Sequence, residues 1–502
     1  MWLRKLSFLL LLFSIGFVPN LSALTLKEAV SDVLDSNPVV TERLHNYRAT
    51  RADLGSAEAG YYPTVDIELS AGKDYRGRFT SEADETYNIF QNSLILRQNI
   101  FRGFSTHEQV NYQEMRTLAA AYSYLEKAND ITLQTIKAYI DILRYKDILK
   151  NSKRHVRHIQ KLYSKVKKAY KSGLTKMSEV SKVQSSLSLA KSNELVAANK
   201  LTNAIYNFRH LTGRVVSPNE LKSVRFDLPL PSSQEEAALY ALEYNPSVVV
   251  GKYNIKGAEA LYRESKSNYL PTLDMEVKAN YADTFDNTAI PYPDKSDDVK
   301  GMLVLRYNLF RGGADEADRI KKLNKISQEV AVTDELKRQV IEGLNLSWGT
   351  YELSKHQIPS LKRYRDQSAE TLRLYVKEYE LGERSLLDLL ATENDLSRAN
   401  DELINAKYNM LVAKYRILDA MGLTIASLSS DVKKYYKRVG LFTKGKVKDM
   451  GNLPISYDKD NDKVVSNKDL CPDTPNGGKG AKADGCKKRS SINILDVIKE
   501  NK

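Results

Sequence analysis

Two acidic residues, Glu179 and Asp388, occupy equivalent positions in two similar segments of the chain. Each acid follows a glycine by six residues, in GLTKMSEV from Gly173 and in GERSLLDL from Gly382, and an apolar residue comes next. A carboxylate in the first turn of a helix is favoured by the helix dipole. If symmetry repeats such a carboxylate around an axis, the resulting ring instead narrows and polarises a pore. The residues alone leave both interpretations open.

A second group of carboxylates and the two cysteines of the chain stand near the C-terminus. The acidic residues are Asp458, Asp460, Asp462 and Asp469. Their segment, which begins at Tyr457, resembles a thrombospondin type 3 calcium repeat, but Asn461 and Lys463 replace two of its usual glycines. Cys471 and Cys486 can pair in an oxidising compartment and close a 15-residue loop, worth about 3 kcal/mol in the chain-entropy model. We therefore expect a spacer held by this disulfide, with calcium binding by the carboxylates as the alternative.

The remaining reactive side chains predict no catalytic or metal site. No motif for a catalytic nucleophile is present, so we expect a protein that is not an enzyme and has no cofactor. His155 and His158 are three residues apart, but no carboxylate is placed in the sequence to complete a metal site, so we expect surface histidines. The net charge of +13 comes from lysines spread along helical faces, which favours solvated helices over nucleic-acid binding.

The first 23 residues predict a signal peptide for export. Arg4 and Lys5 precede an apolar run from Phe8 to Val18, and small residues follow up to Ala23. This run is too short for a retained membrane helix. Since the remaining chain contains no apolar run of about 18 residues, any part of it that crosses a membrane must consist of strands.

The rest of the chain is a tandem duplication. An Asn-Pro dipeptide occurs at positions 37 and 245, and the motif NIFRG or NLFRG occurs at positions 99 and 308. A capping box opens each copy, and the glycines that precede the two acids recur at nearly the same offset. The copies span residues 24–222 and 223–430, and a basic tail occupies residues 431–502.

Each copy is predicted to fold as a helix, two strands, a long helix and a shorter helix. Apolar and polar residues alternate after Pro63 and Pro271, as in strands with one apolar face, and segments of about ten residues suit tilted membrane strands. The segment from Phe101 to Gly173 contains no proline, which predicts a helix about 100 Å long. In the second copy, Pro359 is expected to kink or break the corresponding helix.

The shorter helix of each copy carries large apolar residues and alanines at heptad spacing. In the second copy these residues are Leu389, Leu396, Ala399, Leu403, Ala406, Met410, Ala413 and Ile417. This pattern predicts close antiparallel packing on the long helix, so Gly173 and Gly382 become the tips of two helical hairpins. The first helix, from Thr25 to about Gly60, is predicted to continue the line of the shorter helix along the long one.

The four predicted strands of one chain cannot close a barrel. A four-stranded sheet in lipid would leave unpaired backbone groups along both edges, each costing several kcal/mol. Three chains would supply about twelve strands, an even number within the range of outer membrane barrels. The spacing alone leaves other multiples open.

In the order and spacing of its motifs, the chain from about residue 24 to 425 resembles the TolC family of outer membrane efflux and secretion channels. The resemblance rests on LTLKEA at the start, the Asn-Pro dipeptides, NIFRG and NLFRG, and above all YELGERSLLDLLATENDL. It implies a mixed, mainly α fold, in which a homotrimer forms a 12-stranded β-barrel that continues into a coiled-coil tunnel across the periplasm. It also implies a passive outer membrane channel that receives substrates from an inner-membrane ABC or RND transporter through a periplasmic adaptor.

The resemblance also assigns roles to individual residues. The hairpin tips that would contact the adaptor are Gly173, Leu174, Gly382, Glu383, Arg384 and Ser385. Asp388 and its repeat mate Glu179 would form a periplasmic constriction, although Ala391 stands where the family often has a second acid. The GERSLLDLL tip is closer to the branch that serves protein-secreting ATP-driven transporters, and multidrug efflux is the other expectation for the cargo.

A periplasmic coiled-coil adaptor or scaffold without a pore is the alternative from another class of protein. Such a protein would share the helical hairpins. It would not need strands with one apolar face, so the alternation after Pro63 and Pro271 favours the channel.

Overall fold

The computed structural model describes residues 23–76, 85–226, 228, 230–285, 296–428 and 432–441. Among the helices in these ranges, none combines the length and the apolar character needed to cross a bilayer. The signal peptide lies almost entirely outside the described residues. The tail residues for which we expect a disulfide or calcium also lie outside them: Asp458, Asp460, Asp462, Asp469, Cys471 and Cys486.

The elements follow the same order in both halves of the chain. The first half contains α1 (Leu26–Ser36), α2 (Pro38–Glu58), β1 (Thr64–Arg76), β2 (Glu85–Arg102), α3 (Ser105–Lys171) and α4 (Met177–Thr212). The second half contains α5 (Gln234–Tyr244), α6 (Pro246–Ser265), β3 (Thr272–Phe285), β4 (Ser296–Arg306), α7 (Ala314–Glu380) and α8 (Leu386–Ala420). Two short helices follow, α9 (Thr424–Leu428) and α10 (Val432–Arg438).

The expectation of one continuous helix at the start of each half is wrong. Asn37 ends α1 and caps α2, because its side chain accepts a hydrogen bond from the Val39 amide. Pro38 is the first residue of α2. Proline has no backbone N–H, but an N–H at this position would have no partner within the helix. Asn245 repeats this arrangement with the Ser247 amide before α6. The Asn-Pro dipeptides that mark the duplication are therefore also helix breaks.

The four strands form one antiparallel sheet in the order β1-β2-β3-β4. The central pair joins the two halves of the chain, with Leu94 opposite Ala279 and Leu96 opposite Val277. Because directly paired residues point to the same side, this register gathers the apolar side chains on one face. Its exposed members include Val65, Ile67, Leu69, Leu94, Val277, Val299, Leu303 and Leu305.

The opposite face of the sheet is mostly polar, and several of its charged residues are paired across strands. Arg97 on β2 lies 3.5 Å from Asp66 on β1 and 3.1 Å from Glu276 on β3. Arg306 on β4 lies 2.8 Å from Asp274 on β3. The sheet thus has one face that suits lipid and one that suits water, as the alternation in the sequence predicts.

The helices form a layer four helices wide. In the part that contains the hairpin tips, neighbouring helices contact each other in the order α4, α3, α8, α7. In the part nearer the sheet, the order is α2, α3, α6, α7. Two shorter helices therefore lie end to end along each long one, as predicted. The long helix α7 continues through Pro359 for all its 67 residues, so the break expected there is absent.

The main hydrophobic core also includes residues from the range 432–441, which contains α10. In α10, Tyr436 is buried, and Lys434 and Arg438 each lie 2.7 Å from the carboxylate of Asp35 on α1. Helix α10, near the start of the region predicted as a basic tail, is therefore part of the core and packs against the start of the chain.

Candidate functional site

The first hairpin turns at Gly173, between α3 and α4. This glycine has a φ of +74°, in the left-handed region that other residues rarely adopt. The Leu174 amide donates to the Ala169 carbonyl at 2.9 Å, which ends α3 with the hydrogen bond typical of a glycine C-cap. Leu174 itself is exposed at the end of the molecule.

The second hairpin turns in the same way at Gly382, whose φ is +83°. The Glu383 amide donates to the Glu378 carbonyl at 2.9 Å. Arg384 then folds back onto α7: its guanidinium donates to the Glu378 carboxylate at 2.8 Å and lies 4.1 Å from the centre of the Tyr375 ring. The ion pair and the ring hold Arg384 in place at this tip.

Asp388 lies in the first turn of α8. Ser385 caps this helix, since its hydroxyl oxygen accepts from the Asp388 amide at 3.1 Å and donates to the Asp388 carboxylate at 2.8 Å. Asp388 is nevertheless exposed. In the single chain, the capping contacts with Ser385 are enough to explain an aspartate at position 388. The Asp388 carboxylate still faces solvent.

Glu179, the repeat mate of Asp388, has different surroundings. The Thr175 hydroxyl donates to its carboxylate, and the cap residue of α4, Lys176, makes no side-chain cap bond. Burial, together with the charge of Glu179, raises the pKa of Tyr379 near the end of α7. The Glu179 carboxylate is therefore close to the second hairpin, whereas Asp388 is a solvent-facing acid.

An apolar cluster joins the two hairpins just behind their tips. Its buried members are Ile159, Val166, Val180, Val183, Leu187, Leu386 and Leu390. These residues come from α3, α4 and α8, so the start of the second hairpin's returning helix packs against both helices of the first. The predicted tip residues and the two acids accordingly lie at one end of the molecule.

His155 and His158 contact a carboxylate that the sequence analysis missed. The Nδ1 atom of His158 lies 3.0 Å from Oε1 of Glu393 on α8, and Nδ1 of His155 lies 3.5 Å from the same oxygen. The side chains of His155 and Glu393 are only 11% and 10% exposed. The expectation of surface histidines is therefore wrong for His155. Within the described ranges, no group of three His, Cys, Asp or Glu side chains is arranged to hold a metal ion.

A second polar contact between α3 and α8 lies about one helical turn farther from the tips. The Asn151 amide donates to the Asp401 carboxylate and to the Ser397 carbonyl, each at 2.9 Å. Burial raises the pKa of Asp401, whereas the Asn151 hydrogen bond and the nearby His155 act in the opposite direction. The spacing of the polar residues at positions 151, 155 and 158 puts them on one helix face and is the signal that sequence reasoning overlooked.

The family of outer membrane efflux proteins matches this chain over residues 29–214 and 240–423. The outer membrane efflux protein BepC of Brucella suis is 21% identical and aligns over 82% of this chain and 88% of its own length. The outer membrane protein TolC of Escherichia coli is 23% identical, with 81% and 84% aligned. The alkaline protease secretion protein AprF of Pseudomonas aeruginosa is 20% identical, with 82% and 86% aligned.

The fold is similar to that of the CmeC outer membrane channel of Campylobacter jejuni, with a TM-score of 0.71 and 14% identity over 82% of this chain and 89% of that one. The family match covers the strands and hairpins of both halves. The chain therefore belongs to the outer membrane efflux protein family, of the TolC type, and is an outer membrane channel-tunnel and not an enzyme.

Proposed function

We propose that three copies of this chain form one channel, which conducts cargo passively from an inner-membrane transporter through a periplasmic adaptor to the outside of the cell. The observation that carries the proposal is the four-stranded sheet, which exposes an apolar face and leaves β1 and β4 as open edges. Such edges are too costly to persist in lipid, so other copies of the sheet must pair with them.

The edges of the helical layer support the same assembly. The helix α4 at one side exposes Leu195 at 73%, and α7 at the other side exposes Leu353 at 65%. Neighbouring copies would cover these side chains and pair β1 with β4 in a single contact. Three copies give about twelve strands, which closes a barrel with a polar interior. The alternative, a scaffold without a pore, does not explain why the sheet has an apolar face.

Assembly and pore formation can be tested together. Membrane fractionation should place the full-length protein in the outer membrane as a trimer that dissociates on heating, and the purified trimer should form pores in planar lipid bilayers. A soluble periplasmic monomer that forms no pores would overturn the proposal in favour of the scaffold.

We also propose that the hairpin tips contact the adaptor and that Asp388 forms the narrowest ring of the channel, with Glu179 in a minor role. Support for this comes from the exposure of Asp388, whereas Glu179 is half-buried. Asp388→Asn should raise single-channel conductance or weaken block by divalent cations, because a carboxylate ring attracts cations. Asp395→Asn, at another exposed acid of α8, is the matched control. Unchanged conductance and block in Asp388→Asn would remove this residue from the constriction.

For the cargo we propose exported protein, as in type I secretion, with an ABC transporter as the pump. The similarity to the alkaline protease secretion protein supports this choice, whereas the similarity to the outer membrane efflux protein BepC supports the alternative of efflux. Deletion of the gene should remove one or a few proteins from the culture medium. Unchanged secretion together with increased sensitivity to antimicrobial compounds would instead establish efflux.

For the two ends of the chain we propose a signal peptide cut after Ala23 and a C-terminal spacer closed by Cys471 and Cys486. Mass spectrometry of the mature protein, with and without reduction, tests both statements. A calcium titration of the full-length protein tests the alternative role of the tail carboxylates. The carboxylates in question are Asp458, Asp460, Asp462 and Asp469.

A further inference from the structure

Glu393 has unusual partners for a carboxylate in a helical contact. It comes from the second hairpin, is nearly buried, and has two imidazole rings of the first hairpin against one of its oxygens. We propose that His155, His158 and Glu393 form a proton-operated clamp, which holds the two hairpins together more tightly in mild acid than at neutral pH. The inference rests on the proposed function, because the clamp lies in the periplasmic part of the channel.

Only one of the two histidines makes a hydrogen bond to Glu393 in the structure. His158 is within hydrogen-bond distance of Oε1 of Glu393, whereas Nδ1 of His155 is buried and has no hydrogen-bond partner. A neutral imidazole carries only one N–H, but a protonated one carries an N–H on both ring nitrogens. Histidine is the ordinary side chain that gains this proton between about pH 8 and 5. Protonation would therefore give both rings a charged donor directed at the same carboxylate.

Charged groups of the neighbouring helices surround the clamp. On α8, Asp401 lies close enough to His155 for a charge on the imidazole to act on its carboxyl group, so two carboxylates lie near the two imidazoles. On α4, Lys200 acts on Asp401 and offsets part of its charge. On α7, which also packs against α8, Glu370 and Arg373 are paired with each other at 2.8 Å. The cations nearest in sequence on α3 itself are Lys153, Arg154, Arg157 and Lys161.

The clamp lies at the contact between the two hairpins, so it can affect the width of the channel at its periplasmic end. The contact between α3 and α8 is where the two hairpins meet, and any widening that separates the hairpins must break the bonds to Glu393. A second ion pair crosses between the hairpins, from Lys165 to Glu380 at 2.6 Å, but both side chains are largely exposed and keep their charges in mild acid. This ion pair is therefore not expected to account for a response to mild acid.

Single-channel recording in planar bilayers at pH 7.5 and 5.5 tests the clamp in the full-length trimer. We expect the wild-type conductance to fall at least twofold at pH 5.5. Glu393→Gln and the double variant His155→Gln/His158→Gln should each lose most of this response. The matched control is His356→Gln, because His356 contacts Glu352 at 3.6 Å within α7 and is 79% exposed. This control should keep the wild-type response.

Each outcome has a separate meaning. If the wild type forms no pores at either pH, the proposed function is wrong. If the wild type conducts but Glu393→Gln keeps the full pH response, or His356→Gln loses it equally, the clamp is wrong. Spin labels at exposed positions 157 and 395 provide a second readout that needs no substitution in the clamp. Their distance distribution should be narrower at pH 5.5 than at pH 7.5, and an unchanged distribution would also contradict the proposal.

Discussion

The two long helices α3 and α7 are equally long, at 67 residues each, but they are buried to very different degrees. In α3 twenty residues are buried, and most of them are apolar. In α7 six are buried, and three of these are serines. The difference comes from position: α3 packs against α2, α4, α6 and α8, whereas α7 lies at the side of the layer. Repeat mates in a duplicated chain can therefore be interior in one copy and a largely exposed edge in the other.

The largest expected effect concerns the interior helix. Ile140 on α3 is completely buried, so Ile140→Ala should lower the free energy of unfolding by about 2–5 kcal/mol through lost burial and a cavity. Leu353→Ala on α7 is the counterpart and should cost about 1 kcal/mol or less, since that side chain is mostly exposed in the single chain. Guanidinium unfolding of the detergent-solubilised monomer measures both. Equal losses would contradict the distinction between interior and edge helices.

The next prediction concerns Asp419, near the C-terminal end of α8. Asp388, at the opposite end of this helix, is exposed. Burial raises the pKa of Asp419 from 3.8 to about 6. The folded state therefore binds this proton more tightly than the unfolded state, and stability should increase as the pH falls from about 7 to about 4. At pH 7.5, Asp419→Asn should be more stable than the wild type by roughly 2 kcal/mol. Unfolding curves at pH 7.5 and 4 test this, because the gain should largely vanish at pH 4, close to the pKa of the unfolded carboxyl.

A smaller effect concerns assembly. Leu353→Asp places a charge on the exposed apolar side of α7 and should reduce the fraction of trimer about fivefold, which corresponds to about 1 kcal/mol. Lys362→Glu changes an exposed charge on the same helix and is the matched control. Gel electrophoresis without heating separates trimer from monomer. A normal trimer yield in Leu353→Asp would show that this side of α7 is not covered in the assembly.

The smallest effect compares the two hairpin tips. Ser385 caps α8 through its side chain, whereas Lys176 at the equivalent position before α4 makes no such bond. Ser385→Ala should lower stability by about 1 kcal/mol, and Lys176→Ser should raise it by about 0.5 kcal/mol by adding a cap. Thermal unfolding followed by circular dichroism can measure both shifts. A loss of stability in Lys176→Ser would mean that the lysine has a contact of its own at the first tip.

Sequence patterns predicted the elements better than their partners. Alternation after Pro63 and Pro271 predicted two-faced strands, and the heptad pattern of α8 predicted residues that are buried, such as Ala399 and Leu403. The same reasoning missed the helix breaks, because the Asn-Pro dipeptides were interpreted only as landmarks. It also missed Glu393 as the partner of the two histidines, since 235 residues separate it from His158.

The sequence by itself determined the duplication, the two-faced strands and the glycine turns of the hairpins. These features depend on residues close together in the chain: a period of two, a period near 3.6, and a glycine that can adopt a positive φ. Only the tertiary structure decided which long helix is interior, that α10 closes the core, and that Glu393 meets two histidines. Such contacts depend on how distant segments pack against each other, and no local periodicity records that arrangement.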